Sequence, residues 1–214
     1  MRENEEIYFA FSEQEFSILA GTCGVKSLLC YDPENGRSEI CKVDKRTYIN
    51  TVYKLIKRNI IKEDKDKLVL QPEIKELFLP LRNSDYIIWY SCGYSERTEG
   101  FIYLKYDKEF ISALPGKRNG EYIRLCRYEK RSLFTFLKDC LLNDWKELRE
   151  KIELIVFDGT THNELTKICW NNEKPDKLMF HKGGSFKMLK NCWNSINSEL
   201  KKTIIDKGGC DDTC

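Results

Sequence analysis

Few residues in this chain have the types and spacing that chemistry requires. There are two histidines, His162 and His181, and ten cysteines among 214 residues. No Gly-x-Ser-x-Gly elbow is present, and no Cys–His motif of recognised spacing. A Ser–His or Cys–His pair can still assemble in space, so a hydrolase using His162 or His181 stays open as the weakest reading. The stretch Ile155 to Thr161 (IVFDGTT) has the outline of a phosphotransferase strand ending in Asp-x-Asp-Gly-Thr. That chemistry needs a nucleophilic carboxylate two residues before Asp158. Val156 stands there, so Asp158-Gly159 reads as a hairpin turn. Gly183-Gly184-Ser185 lacks the Gly-x4-Gly-Lys-Ser/Thr pattern of a phosphate loop and reads as the start of a helix capped by Ser185. Cys210 and Cys214 are two thiols without a second pair, so neither a metal site nor a cofactor is expected.

The start of the chain is acidic and has no apolar signal core. Its apolar runs are too short to span a bilayer. A cytoplasmic location with reduced cysteines is therefore expected, and no membrane partner. Cys30, Cys41, Cys92, Cys126, Cys140, Cys169 and Cys192 sit in apolar or mixed segments and read as small buried hydrophobes. The net charge of +2 lacks the basic excess of a dedicated nucleic-acid binder.

The elements follow from pattern. Residues 6–10 read as a short strand. Ser12 and Glu15 form a capping box for a helix from Glu13 to about Thr22, with Phe16, Leu19 and Ala20 on one face. A surface loop at YDPENGRSE precedes a second helix, Lys45 to Arg58, capped by Asp44 and closed by Asn59, with Tyr48, Val52, Leu55 and Ile56 as its stripe. A β-wing follows, with Lys62–Lys67 as its charged turn. Pro72 opens a third helix with Ile74, Leu77, Phe78 and Leu81 inward. Strands are expected at 85–92, 101–106 and 121–128, forming a meander, then a helix from about Lys130 to Leu142. A charged connector (143–150) leads to strands at 151–158, 164–171 and 176–182, and to a last helix from Phe186 to about Ile205.

This order predicts an α+β fold: an antiparallel sheet flanked by helices, with a helix-wing-helix N-terminal part. It is expected to form one domain over 1–205, with loose halves 1–142 and 151–205, each a strand trio and a helix. The tail 206–214 is expected to be flexible.

Aromatic residues crowd the central strands. Tyr86, Ile88 and Tyr90 share one face, and Ile87 and Trp89 the other. Tyr122, Arg124, Cys126 and Tyr128 share a face opposite Ile123 and Leu125. With one sheet face expected to be wet, the Tyr122–Arg124–Tyr128 face reads either as a protein-binding hot spot or as aromatic cross-strand packing beneath a helix. The second helix carries Lys45, Arg46, Lys54, Lys57 and Arg58. With the wing it resembles half of a winged-helix reader, which makes a DNA-binding regulator the alternative function. Against it, residues 1–90 hold 14 Lys/Arg and 15 Asp/Glu, and nucleic acid is not the expected partner.

The stretches FSEQEFSILAGTCGVKSLL and INTVYKLIKRNIIKEDKDKLVLQPEIKELFLPLRNSDYIIWY, followed by EYIRLCRYEKRSLFTFLKDCL, resemble the EspG-like proteins of type VII (ESX) secretion in pattern and order over 1–142. The Cys- and Lys-rich composition suggests a Gram-positive, low-GC relative. The resemblance implies a non-enzymatic, cytosolic chaperone-like adaptor. Such a protein caps the aggregation-prone tip of a helical secreted partner, either a toxin domain or a small helical hairpin. It directs attention to the sheet face and the Gly93–Gly100 turn, with Tyr90, Tyr94, Tyr103, Tyr122, Arg124 and Tyr128 as the expected contact residues.

Overall fold

A computed structural model describes residues 7–25, 43–65, 67–93, 98–105, 109–115, 122–129, 133–143, 147–148, 151–171, 178–182, 185–189 and 193–205. The chain opens with β1 (Ile7–Ser12), α1 (Glu13–Thr22) and α2 (Lys45–Lys57), then a hairpin of β2 (Ile61–Asp64) and β3 (Lys67–Leu70), and α3 (Pro72–Arg82). A meander follows of β4 (Tyr86–Cys92), β5 (Thr98–Leu104), β6 (Glu109–Pro115) and β7 (Tyr122–Glu129), closed by α4 (Leu133–Leu141). A small pair, β8 (Leu142–Asn143) and β9 (Glu147–Leu148), leads to β10 (Lys151–Asp158), β11 (Glu164–Asn171), β12 (Leu178–Lys182) and β13 (Ser185–Leu189), and α5 (Trp193–Ile205) ends the described fold.

The α+β fold is an antiparallel sheet flanked by helices. Nine strands lie in the order β1-β7-β6-β5-β4-β10-β11-β12-β13. Two four-stranded meanders, each followed by a helix, run outward from a central antiparallel pair, β4 and β10. The halves are therefore quartets rather than trios. Two strands of the nine-stranded sheet differ from the expectation. β6 (EFISALP) falls where the turn signals Pro115-Gly116 and Asn119-Gly120 pointed to a connection, and it separates β5 from β7. β13 (SFKML) occupies what read as the first turns of the last helix, so Ser185 begins a strand and α5 starts at Trp193. Its register sets Ser185 opposite Lys182. That spacing leaves a Gly-Gly dipeptide between the strands, which is a hairpin signal. The connector at 143–150 contains the β8–β9 pair. The 31–39 loop and the 206–214 tail lie outside the described residues.

Local chemistry explains the N-terminal layer. The Ser12 amide donates to Glu15 Oε2 (2.9 Å), and the Glu15 amide donates to Ser12 Oγ (3.2 Å), completing the capping box. At the other end of α1, Gly24 has φ +74°. Its amide donates to Gly21 O, and the Val25 amide to Ala20 O. Asn59 (φ 55°) does the same for α2: its amide donates to Ile56 O and that of Ile60 to Leu55 O. Both pairs are the bonds of a Schellman stop, and in each the next residue, Val25 or Ile60, turns into the core. Asp44 caps α2 through the amides of Arg46 and Thr47. These bonds, the Thr47 hydroxyl foremost, hold its carboxyl below the usual range. Tyr48 departs from the expected stripe and lies exposed, since Thr51, Val52 and Leu55 make the buried contact.

Side-chain packing outweighs these caps. α1, α2 and α3 cover one sheet face, where Phe16, Leu19, Leu55, Leu77 and Phe78 meet Phe11, Ile87, Trp89, Tyr103, Ile111, Leu125 and Ile155. α4 and α5 cover the other, where Leu133, Leu137, Leu141, Ile196, Leu200 and Ile204 meet Ile88, Tyr90, Leu104, Phe110, Leu154, Ile168 and Trp170. All seven residues of β4 are buried, so the expectation of one wet face fails for the central strands. Each large side chain buried here contributes about 2 kcal/mol, against about 1 kcal/mol for a cap.

One polar contact joins three N-terminal elements. Arg58 Nη1 lies 2.7 Å from Glu15 Oε2 and 2.8 Å from Oε1, and Arg58 Nη2 donates to Ala10 O (2.9 Å). The Glu15 side chain is 7% exposed and that of Arg58 42%. Losing the arginine strands a nearly buried carboxylate, while the exposure of Arg58 moderates the penalty. Arg58→Met is expected to lower stability by about 2 kcal/mol in urea unfolding. Glu15→Gln, which keeps the packing, should cost less.

Candidate partner-binding surface

The six residues expected to meet a partner are scattered by the fold. Tyr90 is fully buried and Tyr103 is 2% exposed, each on a different sheet face. Neither can touch a partner in this arrangement. Tyr94 lies outside the described residues. Tyr122 is placed only by its backbone, opposite Ser12 of β1. Arg124 is half-buried and engaged in interactions within the chain. Tyr128 is half-buried. Its ring stacks on Phe110 (centroids 4.8 Å apart, 11° between planes) and leans on Phe136 of α4 (5.2 Å). Of the two readings open for the Tyr122–Arg124–Tyr128 face, Tyr128 thus follows the packing one.

The turn carrying Asp158 serves the fold. Asp158 Oδ1 accepts from the amides of Thr160 (3.0 Å) and Thr161 (2.9 Å), and its carbonyl accepts from His162, which has φ 58°. The Gly159 amide donates to Asp85 O. A Cβ at Gly159 would stand 1.9 Å from the Ser84 carbonyl oxygen, so the approach of this turn to the start of β4 admits only glycine.

A different surface is open. The face of the sheet covered by α1–α3 in the first half has no helix over β11 and β12 among the described residues. The burial pattern of β11 shows the consequence: Thr166, Ile168 and Trp170 are buried toward α5, while Lys167, Cys169 and Asn171 on the other face are half-exposed. Register places Glu153 of β10 opposite Cys169, His181 of β12 opposite Lys167, and Met179 opposite Cys169. Met179 is 41% exposed. Lys167 Nζ pairs with Glu153 Oε1 at 2.5 Å, and His181 Nδ1 lies 3.5 Å from Glu164 Oε1. The surface is therefore a sheet face with a central ion pair, flanked by a thioether and a thiol.

The Cys169 thiol is not poised as a nucleophile. Burial pushes its pKa up, with Lys167 opposing and the Glu153 and Glu164 carboxylates adding to the rise. A reactive cysteine needs the reverse shift. Among the described residues no three of His, Cys, Asp and Glu gather closely enough to hold a metal ion. No helix there is long and apolar enough to cross a membrane. Of the basic residues of α2, Lys45, Arg46, Lys54 and Lys57 are exposed, and Arg58, which follows the helix, is engaged by Glu15.

No family model and no curated protein matches this chain.

Sequence patterning did contain the open face. ELTKICWN alternates polar and apolar residues, which is the half-wet signature, whereas YIIWYSC does not alternate at all. The aromatics of β4 fill two cores. The hydroxyl of Tyr90 sits among Cys92, Cys140 and Tyr128 with no well-formed hydrogen bond. Burial pushes its phenol far above the ordinary range. Removing an unsatisfied buried hydroxyl recovers its desolvation cost. Tyr90→Phe should leave the unfolding midpoint unchanged or raise it by up to about 1 kcal/mol equivalent; a calorimetric scan reads the difference.

Proposed function

We propose that this chain is a non-catalytic cytosolic adaptor that shields a helical segment of a type VII secretion substrate, seated on the open face of β10–β12. The observation that carries the reading is the uneven covering of the sheet. Over the first meander, α1–α3 lie on the face that, among the described residues, has no helix over β11 and β12, where Lys167, Cys169 and Asn171 are partly exposed. A helix laid across the second meander would complete the same three-layer packing. The open residues suit such a partner. Met179 and Cys169 adapt to varied apolar side chains, and the Lys167–Glu153 pair with His181 and Glu164 offers charges of both signs to fix register. The resemblance of the sequence to EspG-like proteins over 1–142 favours the same class of partner.

Co-expression with helical secreted proteins encoded beside this chain tests the proposal. A Lys167→Glu/Met179→Asp variant should lose at least about tenfold of the co-purified substrate. Reversing the charge beside Glu153 should lower its unfolding midpoint modestly, while circular dichroism should still show the parent fold at the temperature of the assay. Wild-type retention by this variant would remove the open face as the site. Failure of every such substrate to co-purify with the parent would remove the function.

A further inference from the structure

Helix α2 carries cations at both ends. The carboxylate that its N-terminal dipole favours is supplied by the cap, Asp44, while the first turn itself carries Lys45 and Arg46 and no acid. From 45 to 58 the chain holds five cations and neither Asp nor Glu. Arg58 is taken by Glu15, and the other four are exposed. Between them stand Tyr48, Ile49 and Tyr53, at 47%, 56% and 58% exposure. Ile49 and Tyr53 are the most exposed large hydrophobics among the described residues. Lys45, Ile49, Tyr53 and Lys57 recur at intervals of four and form one stripe along the helix. It lies away from Thr51, Val52 and Leu55, which anchor the helix to the core. Lys57 Nζ sits over the Tyr53 ring, 4.6 Å from its centroid, in a cation–π contact.

We propose that this stripe seats the protein on an anionic lipid surface. Ile49 and Tyr53 enter the boundary between headgroups and acyl chains, and Lys45, Arg46, Lys54 and Lys57 reach the lipid phosphates. Charge complementarity selects an anionic occupant, since the helix is uniformly cationic. The size of the apolar element selects a bilayer over a protein. A stable protein interface orders about 20–30 residues a side, whereas reversible peripheral binding needs a few inserted side chains and a small set of cations. Tyrosine beside isoleucine and lysine is also the side-chain set of the membrane–water interface. The neighbouring wing does not oppose this: Lys62, Lys65 and Lys67 match Glu63, Asp64 and Asp66 in number. Contact through α2 lays the protein on the membrane without crossing it.

Sedimentation of the full chain with vesicles tests the proposal. The protein should pellet with phosphatidylglycerol–phosphatidylcholine vesicles, stay in solution with phosphatidylcholine alone, and be released at about 0.5 M salt. Each cation removed should weaken partition about fivefold, so Lys54→Glu/Lys57→Glu should lose at least about 25-fold. Ile49→Ser/Tyr53→Ser should lose about tenfold at an unchanged unfolding midpoint. The Lys167→Glu/Met179→Asp variant should bind vesicles as the parent does, which separates this surface from the adaptor face. Absence of pelleting with anionic vesicles, equal pelleting with neutral ones, or undiminished binding by Ile49→Ser/Tyr53→Ser would each overturn the proposal. Capture by a polyglutamate resin without vesicle binding would assign the stripe to an acidic protein and overturn it equally.

Discussion

β4 and β10 are paired over seven positions, from Tyr86 opposite Asp158 to Cys92 opposite Ile152, and no residue of β4 is left to solvent. Backbone groups so placed have no water to fall back on, and each must find its partner in the sheet. The two cores meet at this pair. Ile87, Trp89, Ile155 and Phe157 belong to the core under α1–α3, and Ile88, Tyr90, Leu154 and Val156 to the core under α4 and α5. A one-residue slip of β10 against β4 would exchange the two sets and ruin both. The glycine at 159 belongs to the same constraint, since it brings the β10–β11 turn against the backbone that leads into β4.

Much of the fold was legible in the sequence where local chemistry determines it. Ser12 and Glu15 mark the start of α1 through their reciprocal hydrogen bonds, and Asp44 marks that of α2. Pro72 and the Ile74, Leu77, Phe78, Leu81 stripe outline α3. The strands at 151–158 and 164–171 match their patterns residue for residue. The misses share a physical cause: competition between local signals that tertiary pairing resolves. Residues 109–115 end in proline beside two turn signals, yet they gain both β5 and β7 as neighbours. Residues 185–189 follow Gly-Gly-Ser and precede a helical stripe, yet pairing with β12 pulls them into the sheet.

The candidate site was less legible, because coverage is a tertiary property. Nothing within DYIIWYSC says how many helices will lie over it, although its lack of alternation is the mark of a strand buried on both faces. Conversely, Lys167 and Cys169 look unremarkable until the N-terminal helices are seen to cover the first meander. Among the described residues no helix lies on one side of β11 and β12, and α2 keeps an exposed outward side while its inward side is committed to the core.

Residue-resolved amide hydrogen exchange on the native chain measures this dependence on the central pair most directly. If both cores rest on β4 and β10, the amides of Ile88, Tyr90, Leu154 and Val156 exchange only through global unfolding and share one free energy of opening. Those of Met179 and His181 in β12, whose side chains are partly exposed, open at lower cost. Exchange of the β4 amides at the rate of β12, or separate opening energies for β4 and β10, would contradict the central pair as the element on which both layers depend.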